Sequence, residues 1–161
     1  MIRWLKIVLI VFVALQGLFY ALQNLVNLHA AHDFVSNVLS MANHTVYPAH
    51  FGPPLSAAPL TWTALIIIVA GEFAVGLLGL KGAYDMFASR RAPAAVFDHA
   101  KRYAIVACGV AVALWFGLFM VIGGAYFQMW QTPEGFNAFH GAFIYAAISA
   151  LVMLFVAGRD D

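Results

Sequence analysis

Cysteine, proline and charge are all scarce in this chain of 161 residues. Cys108 is the only cysteine, which excludes an intramolecular disulfide, a cysteine-based metal knot and a paired-thiol redox centre. Charged residues make up 9% of the chain, where a soluble domain carries roughly a quarter. With 64% hydrophobic residues beside that deficit, a water-soluble globule is excluded. No Lys or Arg occurs from residue 7 to 80 or from 103 to 158. Each of these stretches is about long enough to cross a bilayer twice, since one crossing takes roughly 20 residues at about 1.5 Å per residue.

The basic residues that are present fall into three short clusters: Arg3 with Lys6, Lys81 to Arg102, and Arg159. Read with the positive-inside bias, they predict four transmembrane helices with both termini and the middle loop cytoplasmic. The fold class is therefore all-α, a four-helix transmembrane bundle forming one domain over residues 1–161. The spans are expected at about residues 4–25, 60–80, 103–127 and 139–157, with outer connections at about 28–58 and 129–138. On this topology the inner face carries all eight Lys/Arg against Asp85, Asp98, Asp160 and Asp161, and the outer face only Asp33 and Glu134. A basic inner face suits anionic lipid headgroups; nucleic acid is not an expected partner. Arg3 and Lys6 before an apolar run imitate a signal peptide, but the run is too long and lacks a small-residue cleavage site, so it is read as a retained first helix.

Residues 30–41 place Phe34, Val35, Val38, Leu39 and Met41 at helical spacing opposite Asp33, Ser36, Asn37 and Ser40. That pattern predicts a short amphipathic helix at the membrane surface or over the bundle mouth. Pro48, Pro53 and Pro54 then predict an irregular cap. Pro59 suits the first turn of the second span, which Lys81 is expected to end. Ala70, Ala74, Gly76, Gly79 and Gly82 on that span, with Ala113 and Gly117 on the third, offer thin faces for close helix approach, within the chain or to a partner. No repeat relates the two hairpins, and paired Gly/Pro breaks of the transporter kind are missing, which disfavours a transporter.

Glu72 is the costliest residue to place. It lies about 13 Å into the membrane counted from Lys81, and a carboxylate exposed there costs at least ~2.5 kcal/mol. It should face the bundle interior, with Gln16 at a similar depth as its expected partner and Ser149 and Tyr145 completing a polar layer. Such a layer either holds the helices in one arrangement or binds a quinone and exchanges protons. His29, His32 and Asp33 are weak metal candidates on the i, i+4 spacing of His29 and Asp33; solvated loop residues are the plainer reading, and no metal is expected. No cofactor is expected either: no histidine lies at a depth suited to haem, and no nucleophile stands beside a base.

Two blocks, Phe34-Val35-Ser36-Asn37-Val38-Leu39-Ser40-Met41 and Val121-Ile122-Gly123-Gly124-Ala125-Tyr126-Phe127-Gln128-Met129-Trp130-Gln131, resemble a bacterial family of predicted small integral membrane proteins, domain of unknown function 2165. The resemblance extends over nearly the whole chain. Ala125, Tyr126 and Ala42 stand where members often carry an acidic residue, Trp and Asp, which argues against an acidic site there. It implies a bacterial inner-membrane protein and supplies no activity. Both blocks fall at the same outer surface, where Phe34, Val38 and Met41 could pack on Tyr126, Met129 and Trp130, as a cap over helix ends or as a docking patch. The expectation is a non-enzymatic accessory or assembly subunit of a larger membrane complex, its oligomeric state open, with quinone or lipid binding at Glu72 as the alternative.

Overall fold

The computed structural model describes residues 1–160; Asp161, counted above among the inner charges, lies outside the described residues. The elements in order are α1 (Ile2–Val26), α2 (Leu28–Ser40), α3 (Ala58–Ala88), α4 (Ala94–Ala100), α5 (Arg102–Val112), a wide-turned π-helical segment (Ala113–Tyr126), a 3₁₀ turn (Met129–Gln131) and α6 (Pro133–Ala157). Among the described residues there is no strand. Four rods, Ile2–Val26, Ala58–Ala88, Ala94–Tyr126 and Pro133–Ala157, are long and apolar enough to cross a membrane. They take helical form because hydrocarbon offers no partner for a free N–H or C=O, so each rod pairs its own backbone. Apolar residues therefore point outward as well as inward: Phe12, Phe19, Ile66, Leu77, Leu151 and Leu154 are all exposed on the protein surface.

The rods extend further than the charge pattern placed them. α3 continues past Lys81 to Ala88, because Lys81 pairs with Asp85 one turn on at 2.6 Å and its ammonium lies over the Tyr103 ring. A basic residue marks where a helix leaves the apolar layer, and the helix itself goes on. The third rod begins at Ala94, in α4, rather than at Tyr103. α6 starts at Pro133, six residues before the expected Phe139: the missing proline N–H is harmless in a first turn, and Thr132 Oγ1 accepts a bond from the Gly135 N–H at 3.1 Å. The loop between the last two rods shrinks accordingly to residues 127–132. The amphipathic helix does form, as α2, directly after α1.

The rods alternate in direction. α1 packs extensively on α3, α3 on α5, and α5 with the π segment on α6; α6 touches α1 only sparsely. Glycines permit the close pairs: a Cβ on Gly82 would lie 2.7 Å from Ala104 Cα, and one on Gly17 would lie 2.7 Å from the Glu72 carbonyl. Gly76 and Gly79 likewise face α1. By contrast Ala70 and Ala113 are exposed, and a Cβ at Gly117 would meet nothing within 4 Å outside its own helix.

At one end of the bundle the N-terminal segment, the middle connection and the C-terminal tail meet. Lys6 and Lys101, each 2% exposed, share Asp160; the Lys6 ammonium is 2.7 Å from Asp160 Oδ2 and Lys101 also pairs with Asp98 at 2.5 Å. Both ammoniums donate to the Gly158 carbonyl at 2.7 Å, and Arg3 donates to the Ala92 carbonyl, also at 2.7 Å. Burial alone would push the Asp160 carboxyl up, but the ammoniums of Lys101 and Lys6 outweigh it and hold the group below the usual carboxylate range. We call this the basic end; α2 and its following segment form the loop end.

Candidate functional site

Glu72 is 2% exposed and points toward the loop end of the bundle interior. Its partner is Asn24: the Asn24 Nδ2 amide donates to Glu72 Oε2 at 2.8 Å and to Oε1 at 3.1 Å. Gln16, the partner expected from depth, makes no hydrogen bond to it. The reason is directional. Side chains lean toward the N-terminus of their own helix, and α1 and α3 run in opposite directions. Gly17 faces Val75, so Gln16 lies nearly a turn closer to the basic end than Glu72 and leans further that way. Asn24, two turns further along α1, leans back toward the incoming Glu72.

The two side chains border a chamber of about 240 Å³ whose other walls include Tyr20, Trp115, Asn137 and Tyr145. The Tyr20 and Tyr145 hydroxyls hydrogen-bond to one another, joining α1 to α6. Trp115, 2% exposed, sets its ring edge-on to Tyr145 at 5.5 Å. Of the expected polar layer, Glu72 and Tyr145 thus come together. Ser149 is fully buried on α6, one turn beyond Tyr145, with its hydroxyl unpartnered and outside the chamber walls. Asn24 and Tyr20 are the residues that depth-matching missed. Their i, i+4 spacing on α1 was the available signal, since it puts both on one face.

Charge in the chamber is one-sided. None of its lining residues is Lys, Arg or His, and among the described residues Glu72 makes no ion pair. Beside the chamber Tyr20 is 37% exposed and Asn137 is exposed.

Beside it runs an apolar groove of about 150 Å³ between α2, α3 and the π segment, lined by Val38, Leu39, Ile67, Ile122 and Met129 among others. Phe34, Val35, Ile68 and Phe119 belong to the walls of both spaces. The expected outer patch is therefore divided. Phe34, Val38 and Met129 line the groove, and Met41 is buried at 5% exposure. Tyr126 and Trp130 instead clamp the irregular segment, packing edge-on against Phe51 at 5.1 Å and Tyr47 at 5.4 Å. Gln131 secures the same segment by accepting from the Val46 and Tyr47 N–H groups at 2.9 and 2.8 Å.

The histidine candidates are spent on packing. The His32 ring stacks on Trp62 at 4.0 Å with its Nε2 2.8 Å from Thr61 Oγ1, His29 meets the same Trp62 edge-on, and Asp33 is exposed. Among the described residues no three of His, Cys, Asp and Glu gather as a metal site would require. Comparison with known proteins returns a family model, described as "Predicted small integral membrane protein (DUF2165)", that matches residues 2–159. No curated protein and no solved structure matches.

Proposed function

Since the chain belongs to the DUF2165 family of predicted small integral membrane proteins, whose description assigns no reaction, we propose that it is a non-enzymatic membrane protein that binds an amphiphile at its loop end. The observation that carries this reading is the shared wall. A polar chamber and an apolar groove abut at Phe34, Val35, Ile68 and Phe119, which is the polarity sequence of a lipid-like molecule, head beside chain. Binding is favoured over catalysis because the chamber's one carboxyl is engaged by an amide and no His, Lys or Cys stands among the lining residues to relay a proton. Native mass spectrometry of protein released from membrane-derived nanodiscs tests it. The parent should carry a retained adduct, and Ile68→Trp, which fills the shared wall, should lose it. A parent recovered free of any adduct overturns the reading.

A second reading, an accessory subunit of a larger complex, is supported by the small-residue faces that this chain leaves uncovered at Ala70, Ala113 and Gly117. Purification in native nanodiscs should then yield a stable heteromeric mass; repeated recovery of the chain alone counts against it. We further propose a bacterial inner-membrane location with the basic end cytoplasmic. Reporter fusions after Asn43, Arg91 and Asp161 should read outside, inside and inside, and any other order refutes that orientation.

A further inference from the structure

We propose that the chamber recognises the cationic head of an amphiphile, an alkylammonium group, with Glu72 as its counter-ion and Tyr20, Trp115 and Tyr145 as its aromatic walls. The assignment rests on the amphiphile-binding reading above and specifies its ligand. It follows from counting what the chamber has left to offer. The Asn24 amide is spent on Glu72, and the two tyrosine hydroxyls engage one another. Donors remain in the Trp115 indole N–H, the Asn137 amide and one of the two tyrosine O–H groups, but none of them carries a charge. Glu72 keeps acceptor capacity: its carboxyl, when ionised, has about four lone-pair sites, and Asn24 occupies two. An anionic head would meet the Glu72 carboxyl, and a neutral head would leave that carboxyl without an opposite charge. An ammonium supplies what the chamber lacks.

Charge and shape agree with this. A carboxylate buried in a membrane needs an opposite charge, and the lining residues provide none. The space, about 240 Å³, is many times the roughly 10–15 Å³ that one water requires. The rings that border it, Tyr145 with Tyr20 at 5.2 Å and with Trp115 at 5.5 Å, are the kind of surface that attracts a weakly hydrated cation, Trp and Tyr being the better faces.

The test is binding of dodecyltrimethylammonium to nanodisc-embedded protein below the probe's micellar concentration, measured as excess over empty nanodiscs, with dodecyl sulfate and dodecanol as comparators. The expected result is saturable binding of the cation, at least tenfold tighter than that of dodecanol, and no saturable binding of the sulfate. Glu72→Gln should weaken the cation at least tenfold, Glu72→Asp should retain most of the preference, and Trp115→Leu should weaken it several-fold. Dodecanol bound as tightly as the cation, or cation affinity unchanged in Glu72→Gln, overturns the ammonium assignment while leaving amphiphile binding standing. Absence of saturable binding by every probe brings down both. If Glu72→Gln fails to fold, the order of the three probes on the parent decides alone.

Discussion

Coupling between Glu72 and Asn24 separates the partner seen in the structure from the one that depth alone would assign. Asn24 makes two hydrogen bonds to the carboxyl, at 2.8 and 3.1 Å, in a site where Glu72 is 2% exposed. Interhelical hydrogen bonds in membranes contribute about 0.6 kcal/mol on average and ~1.7 kcal/mol at most. Both bonds here use the same NH₂ group, so their joint contribution should fall within that range rather than at its double. A double-mutant cycle of Asn24→Leu and Glu72→Leu should accordingly give a coupling of about 0.6–1.7 kcal/mol. The parallel cycle of Gln16→Leu with Glu72→Leu should be additive to within about 0.5 kcal/mol. Glu72→Gln should fall between parent and Glu72→Leu, because its single carbonyl oxygen can accept only one of the two amide hydrogens. Reversible unfolding by SDS titration in mixed micelles provides the free energies. Coupling of Gln16 to Glu72 above that limit, with Asn24 and Glu72 additive, would refute the geometry and the directional argument behind it.

Gly82→Ala should destabilise the protein by about 1–3 kcal/mol in the same titration, because the new methyl meets Ala104 backbone that cannot turn aside. Gly109→Ala, where an added Cβ meets nothing within 4 Å, should instead stabilise by up to about 1 kcal/mol; equal behaviour of the two variants would contradict the α3/α5 packing. Asp160, held below its ordinary 3.8, contributes stability that is present above that pH and lost as pH falls through its folded value. Stability should therefore decline below about pH 4 in the parent and more gently in Asp160→Asn, which should start about 3–5 kcal/mol lower at pH 7 because buried Lys6 loses its ion-pair partner. Lys101 is affected less, because it keeps Asp98. Thr132→Ala should cost about 1 kcal/mol and fray the first turn of α6, visible as faster amide exchange at Gly135; unchanged exchange there would show that the cap is idle.

Number of rods, their all-helical form and the amphipathic α2 were legible in the sequence, because lipid imposes length and apolarity on every crossing and the spacing of Phe34, Val38 and Met41 is a local property. Their ends were less legible. Lys81 and Phe139 mark changes in polarity, whereas α3 and α6 end where backbone bonds and caps do, at Ala88 and Pro133. The cost of Glu72 could likewise be read from one residue in an apolar run, and with it the need for a partner. Which partner could not. Asn24 reaches Glu72, and Tyr20 shares its chamber, only because α1 packs antiparallel on α3 across Gly17, Gly76 and Gly79, and because side chains on opposed helices lean in opposite directions. Composition determines that a chain must live in a membrane, since transfer from water depends on each residue separately. Only the tertiary structure decides that one carboxyl, two tyrosines and a tryptophan share a chamber, since that depends on the register of helices far apart in the chain.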